Sequence, residues 1–173
     1  MMLRDSKRSS HLFLLLLSLC WISVAVAKPE TPANQTEKTR ALTLAYFERL
    51  SNADRSVADF WDKRTVLFVN NDGPWGGYYR GTANIAQYYR DMADMFDMDN
   101  GIRFELLQTA VEGNHSILHF RVQGQHIAGE YDNHYIQVYY WGDDGKLSKI
   151  ENFYGWAPFL HLQRQAAENR ASH

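Results

Sequence analysis

The strongest constraint on the fold is the stretch from Ser116 to Trp156, which reads as three consecutive antiparallel strands. The first, 116–126, alternates apolar and polar residues, the second, 134–141, is rich in Tyr, Ile and Val, and the third covers 147–156. Gly-Asp-Asp-Gly at 142–145 predicts the turn between the last two. Such long aromatic strands, following helices, commonly form a cup, and a cup must be filled by side chains or by a ligand.

The residues before these strands predict three helices and two further strands. In chain order, the predicted elements are a helix over 37–51, a helix over 54–61, a strand over 65–70, a helix from 82 and a strand over 102–112. Asp54 and Thr82 are the predicted N-caps of the second and third helices. This order predicts an α+β fold in which a curved, mostly antiparallel sheet wraps around three helices as a cone.

The first 27 residues have the features of a secretory signal peptide. Arg4, Lys7 and Arg8 precede a short apolar run, and Ala25-Val26-Ala27 is a small-x-small cleavage site. Polar residues interrupt the run, which disfavours a permanent membrane span. We therefore expect an exported protein, periplasmic or secreted, with no membrane association after cleavage. The mature chain would comprise a disordered lead over 28–36, one domain over 37–156 and a C-terminal tail over 157–173.

Cleavage is predicted after Ala27, so N-terminal sequencing of the exported protein should begin at Lys28. A mature protein that still carries residues 12–26 would contradict export by this route.

Charge and cysteine content exclude several classes of function. Without the signal, the chain has 15 Lys and Arg against 19 Asp and Glu and no basic stripe, which argues against a nucleic-acid partner. The one cysteine, Cys20, lies in the signal, so the mature protein has neither a disulfide nor a thiol nucleophile. The spacing of His, Cys, Asp and Glu predicts no metal site, and no phosphate-binding loop predicts a cofactor.

Four short motifs, in order, resemble the SnoaL-like polyketide cyclases and ketosteroid isomerases of the nuclear transport factor 2-like superfamily. The motifs lie at 46–54, 80–85, 122–126 and 144–150. The resemblance extends over 37–156 and implies the cystatin-like α+β cone, with a cavity that holds a small hydrophobic ligand.

Strand parity predicts which side chains face the inside of the cone. Leu118, Phe120, Val122 and His126 should point inward from the first strand, and Ile150, Asn152 and Tyr154 from the last. The middle strand is apolar on both faces: Tyr135, Gln137 and Tyr139 share one parity, and Ile136, Val138 and Tyr140 share the other. An apolar outer face predicts a homodimer, with His119 and His134 solvated or at the interface.

Three residues are candidates for the catalytic chemistry. His126 can pass protons near neutral pH, and the resemblance associates this histidine with the cyclase site; the alternative is a rim histidine. Asp72 could act as a base at the cavity mouth, or it could be part of an ordinary Asp-Gly-Pro turn. The resemblance matches Tyr46 to the isomerase tyrosine that donates to an oxyanion, and the alternative is a core tyrosine.

The predicted ligand contacts are amides and aromatic side chains. Gln137 occupies the position that resembles the catalytic Asp of both families, and an amide there can hold an oxygen but cannot act as a base. Asn152 and Tyr154 could complete a polar cluster with Tyr46. The remaining predicted walls of the cavity are Tyr135, Trp61, Trp75, Tyr88 and Phe120.

These features predict a cofactor-independent enzyme that acts on a small hydrophobic carbonyl compound as an isomerase, cyclase or dehydratase. A non-catalytic carrier or sensor of the same kind of ligand is the first alternative, because the strand carboxylate is missing. A dimeric interaction module is the second.

Overall fold

A computed structural model of the chain describes residues 32–71, 73, 75–96, 101–126, 129–158, 160, 161 and 164. The predicted signal peptide, Asp72 and most of the predicted C-terminal tail lie outside these residues. Export and the position of Asp72 therefore stay predictions.

Three helical segments precede or interrupt the sheet. Helix α1 spans Pro32–Ser51, a 3-10 helix spans Arg55–Phe60, and helix α2 spans Gly81–Ala93. The predicted cap of the second segment is confirmed, because the Asp54 carboxylate accepts the backbone N–H of Ser56 at 2.8 Å.

The predicted disordered lead over 28–36 is wrong for residues 32–36, which form the start of α1. Proline suits the first turn of a helix, because its fixed φ is already helical and the missing N–H has no partner there. Residues 28–31 lie outside the described part of the chain.

The start of α2 differs from the prediction that Thr82 caps this helix. The helix begins one residue earlier, and its N-cap residue, Arg80, makes no side-chain capping hydrogen bond. Gly81 instead turns the chain at φ +77°, and its N–H donates to the Thr65 carbonyl at 2.8 Å. This left-handed conformation favours glycine, because a Cβ would crowd the following carbonyl.

Gly81→Ala should therefore lower the free energy of unfolding by about 1–2 kcal/mol, measured by urea denaturation. Thr82→Ala serves as the matched control and should change stability by less than about 0.5 kcal/mol, because Thr82 does not cap the helix. Equal losses in the two variants would contradict this account of the turn.

Six strands form one sheet in the order β2-β1-β6-β5-β4-β3. The strands are β1 Val66–Asn70, β2 Gly77–Arg80, β3 Ile102–Glu112, β4 His115–His126, β5 Gly129–Trp141 and β6 Leu147–Tyr154. β1 pairs with β6 in parallel, and the other pairs are antiparallel. The mostly antiparallel α+β fold is confirmed, with the short edge strand β2 as an addition to the predicted elements.

The core lies between this sheet and the helices. Helix α1 packs Tyr46 edge-on against Tyr139, with ring centroids 5.2 Å apart, and Phe47 against Phe120 at 5.3 Å. Trp141 is buried beside them, and its indole N–H donates to the Thr43 hydroxyl at 3.1 Å. Among the described residues, no helix combines the length and apolar character needed to span a membrane.

Candidate functional site

The predicted inner face of the sheet is confirmed by alternate burial along β4, β5 and β6. Its buried polar and aromatic side chains are Ser116, Phe120, His126, Tyr131, Asn133, Tyr135, Gln137, Tyr139, Trp141, Asn152 and Tyr154. The opposite parity of β5 is exposed or half-buried, and Ile136 has 45% of its surface in solvent. The inner face therefore presents phenols, amides and one imidazole to the helices.

One end of this face holds the Gln137 cluster, which we define as Tyr46, Tyr89, Gln137 and Tyr139. The Tyr139 hydroxyl donates to Gln137 Oε1, and the Tyr46 and Tyr89 hydroxyls lie 3.4 Å apart. Trp61 stacks on the Tyr89 ring with centroids 5.6 Å apart. Tyr46 and Gln137 are thus linked through the side chains of Tyr89 and Tyr139, and their role in ligand binding stays a prediction.

The Gln137 cluster is largely buried and carries no charged side chain. Tyr46 and Tyr139 are completely buried, so their side chains are packed against other side chains rather than against an open cavity. Burial raises the pKa of both phenols, so each stays protonated and can donate a hydrogen bond at neutral pH. The cluster can hold an oxygen atom or fill the core, but it contains no base.

Asn152 connects this cluster to the rest of the inner face. Its amide Nδ2 donates to the Tyr88 hydroxyl at 3.2 Å. Its Oδ1 is buried and has no hydrogen-bond partner among the residues that the structure describes. Buried acceptors of this kind usually have a partner, so a water molecule or a ligand hydroxyl would suit this position. Tyr154 follows two residues later and stacks on Tyr135, with centroids 4.8 Å apart.

The other end holds the His126 cluster, which we define as Phe96, His126, Tyr131, Asn133 and Tyr135. The Phe96 ring packs edge-on against both His126, at 5.7 Å, and Tyr131, at 5.0 Å. The Tyr131 and Tyr135 hydroxyls lie 2.6 Å apart, and Asn133 Nδ2 donates to the Tyr131 hydroxyl at 2.9 Å. An imidazole and a hydrogen-bonded phenol pair thus surround one apolar ring.

His126 carries the most reactive group of this cluster. Its side chain is only 2% exposed, and burial lowers its pKa below the ordinary histidine value. The ring is therefore neutral at physiological pH and can accept a proton. Among the described residues it is the only buried side chain, apart from tyrosines, that can ionise, and no Asp or Glu is buried there.

The register of β4 and β5 separates the two clusters. Leu118 pairs with Gln137, whereas His126 pairs with Gly129. His126 thus lies eight residues farther along β4, about 26 Å at the usual rise of a strand. The structure brings Tyr46 and Gln137 together but places His126 with a different set of polar groups, so one small ligand does not contact both ends.

The remaining predicted wall residues differ in their positions. Trp61, Tyr88, Phe120 and Tyr135 are buried, and Phe120 stacks on Tyr135 at 5.3 Å. Trp75 is half-buried near the edge strand, where its ring contacts Trp156 at 5.4 Å.

Sequence reasoning missed three members of the His126 cluster: Phe96, Tyr131 and Asn133. The predicted strand began at His134, although the alternation of Tyr131, Asn133 and Tyr135 continues the inward parity back to residue 131. That alternation was the available signal for two of the three. The contact between Phe96 and His126 could not be predicted, because the two residues belong to elements far apart in the sequence.

A pocket lies between the edge strand β2 and helix α2. Its volume is about 310 Å³, and its lining residues are Tyr78, Tyr79, Asn84, Gln87, Tyr88 and Asp91. Only Tyr88 is shared with the predicted ligand contacts. The pocket contains neither His126 nor Gln137, so it is not the candidate catalytic site.

Comparison with known proteins identifies the family and the fold. The model of the SnoaL-like domain family matches residues 43–150, more than half of the chain. No curated protein sequence matches.

Several solved structures share the fold at low sequence identity. PrhC from Penicillium brasilianum NBRC 6234 is 14% identical, with a TM-score of 0.67, and the alignment covers 79% of this chain and 93% of PrhC. A putative SnoaL-like polyketide cyclase from Shewanella denitrificans OS-217 is 10% identical, with a TM-score of 0.59 and coverage of 73% and 96%. TerC, co-crystallised with polyporic acid, is 14% identical, with a TM-score of 0.62 and coverage of 72% and 97%.

Proposed function

Because this chain belongs to the SnoaL-like domain family, we propose that it is an exported enzyme acting on a small hydrophobic carbonyl compound by acid–base chemistry. The observation that carries the proposal is the buried imidazole of His126, which packs on the same Phe96 ring as Tyr131, whose hydroxyl is hydrogen-bonded to that of Tyr135. Enolisation requires a group that accepts the proton and hydrogen-bond donors that contact the carbonyl oxygen. The His126 cluster supplies both kinds of group at one apolar site.

In the proposed reaction, the His126 imidazole removes a proton from the carbon next to the substrate carbonyl. The electrons of that C–H bond form the enolate, whose oxygen accepts a hydrogen bond from the Tyr131–Tyr135 pair. Burial raises the pKa of both phenols, so they donate without losing their protons. The imidazolium then returns the proton to another carbon in an isomerisation, or to a leaving hydroxyl in a dehydration.

The relatives support the substrate class. One structural neighbour is described as a putative polyketide cyclase, and another was co-crystallised with polyporic acid. At 10–14% identity these proteins share the fold, and the polyporic acid bound by TerC suggests one compound to try first.

A carrier of the same kind of ligand is the second candidate. It is favoured by the Gln137 cluster, which has no carboxylate where the family resemblance places a catalytic Asp, and whose polar atoms are paired with one another. In a carrier, His126 and the phenols would bind an oxygen of the ligand without transferring a proton.

Hydrogen–deuterium exchange at carbon distinguishes the two candidates without knowledge of the product. The full chain is incubated in D₂O with a panel of apolar aromatic ketones, and proton NMR follows loss of the signal next to the carbonyl. Thermal shift measures binding of each ketone and of polyporic acid. Exchange that depends on His126 supports the enzyme. Binding without exchange for every compound supports the carrier, and neither binding nor exchange contradicts both.

The outer sheet face supports a homodimer as part of this proposal. Ile117 and Ile136 are 44% and 45% exposed, and Val138 lies beside them on the same face. Val138→Glu should leave the fold intact and convert a dimer to a monomer, because a carboxylate would be placed inside an apolar contact. Light scattering at micromolar concentration tests this. A monomeric wild type, or a variant of unchanged mass, contradicts the dimer.

A further inference from the structure

Two histidines on the outer face lie unusually close together. His119 on β4 and His134 on β5 are diagonal neighbours, since His119 pairs with Ile136 and His134 pairs with Arg121. His119 Nε2 and His134 Nδ1 are 3.0 Å apart. In the single chain the two rings are accessible to solvent and point away from the inner face that holds His126, and they border the apolar patch proposed above as the dimer contact, because His119 pairs with Ile136.

This separation matches a chelate for a metal ion with tetragonal geometry. Imidazole nitrogens bind such ions at about 2.05 Å, so two nitrogens 3.0 Å apart subtend an angle of roughly 95° at the ion. Square-planar and tetragonal ions, Cu(II) and Ni(II), prefer an angle near about 90°, whereas tetrahedral zinc prefers about 109°. We propose that His119 and His134 form a two-histidine binding site for Cu(II) or Ni(II), with Cu(II) bound more tightly.

Metal binding requires only small changes in the two rings. In the structure the nitrogens share a hydrogen bond, with ring planes 39° apart, so one ring donates an N–H to the other. That proton moves to the second nitrogen of its own ring, and both rings tilt until their lone pairs meet at the ion. Imidazole binds metals in its neutral form.

The surroundings allow a cation at this position. Arg121 is the register partner of His134, and its guanidinium is held by the carboxylate of Asp132 through two hydrogen bonds. No third His, Cys, Asp or Glu within the described residues completes a larger ligand group. Water would therefore fill the other coordination positions.

Copper titration of the full, tag-free chain tests the site. Cys20→Ser is the common background, because a thiol would reduce Cu(II). We expect one Cu(II) per chain with an electron paramagnetic resonance spectrum that shows coupling to two nitrogens. His119→Ala and His134→Ala should each weaken binding at least tenfold and abolish the two-nitrogen pattern.

His115→Ala is the matched control, because His115 lies on the same strand and face but contacts Tyr140 rather than another histidine. This variant should bind Cu(II) within twofold of the background protein. The proposal is overturned if the background chain binds Cu(II) no better than free imidazole does. It is also overturned if both test variants keep the wild-type affinity, or if His115→Ala loses as much as they do. Near-UV circular dichroism confirms that each variant is folded.

Discussion

Gln137→Glu is expected to make the free energy of unfolding fall steeply as the pH rises. Gln137 is almost fully buried and accepts a hydrogen bond from Tyr139. A protonated glutamic acid could fit there, but its ionised form would be placed in a dry cluster. Burial raises the pKa of such carboxyls by about three units or more.

The sign follows from which state loses its proton first. In the unfolded chain the new carboxyl ionises near about pH 4.3, whereas in the folded protein it stays protonated to a higher pH. Above about pH 4.3 the unfolded state therefore binds fewer protons, and stability falls by about 1.4 kcal/mol per pH unit. A three-unit shift gives a total loss of about 4 kcal/mol.

Urea denaturation between about pH 4 and pH 8 measures this loss against the wild type. Gln108→Glu is the matched control, because Gln108 lies exposed on β3 and its carboxylate would ionise normally in both states. A stability difference for Gln137→Glu that does not change with pH would show that the Gln137 cluster is hydrated or stabilises a charge.

Much of the fold could be predicted because alternation determines which face of a strand is buried. In β4, β5 and β6 the predicted inward residues are the buried ones, including His126 and Asn152. The short edge strand β2 escaped prediction because it has only four residues and follows a glycine-rich loop. Thr82 was predicted as the N-cap because threonine is common at that position. The start of the helix is instead determined by the left-handed backbone conformation of Gly81.

The candidate site was harder to predict because it depends on register. Parity places His126 and Gln137 on one face, but it does not give their distance along that face. The predicted strand began at His134, whereas β5 begins at Gly129, which pairs with His126. The added residues at the start of β5 bring Tyr131 and Asn133 into the His126 cluster. Cross-strand register is set by the turn and by packing of the whole sheet, so local patterns alone do not determine it.

The same dependence explains the close approach of His119 and His134. The sequence places both histidines on the outer face, but it suggests comparing His119 with His115, four residues away on the same strand. Only the pairing of β4 with β5 brings His134 within 3.0 Å. Sites formed by side chains of neighbouring strands are therefore missed when each strand is read separately.

His126→Ala should lower kcat/KM for carbon–hydrogen exchange by about a hundred- to ten-thousand-fold, the usual contribution of a general acid–base group. Gln137→Ala should lower it by less than about tenfold, because the cluster at Gln137 contains no base and one hydrogen bond is worth roughly 1 kcal/mol.

Because burial lowers the pKa of His126, the imidazole stays unprotonated in more acidic solution. The acid limb of kcat/KM should thus lie below about pH 6.5.

His161→Ala is the matched control, because His161 is exposed and should be dispensable. Asp72→Asn separates the two predicted bases: if it abolishes exchange while His126→Ala retains it, the proton acceptor is Asp72. If neither change affects exchange, the base has been misassigned. A carrier replaces the enzyme if no compound exchanges its proton and only Gln137→Ala loses ligand binding. In that case the Gln137 amide orients the ligand, and the ligand reaches the Gln137 cluster.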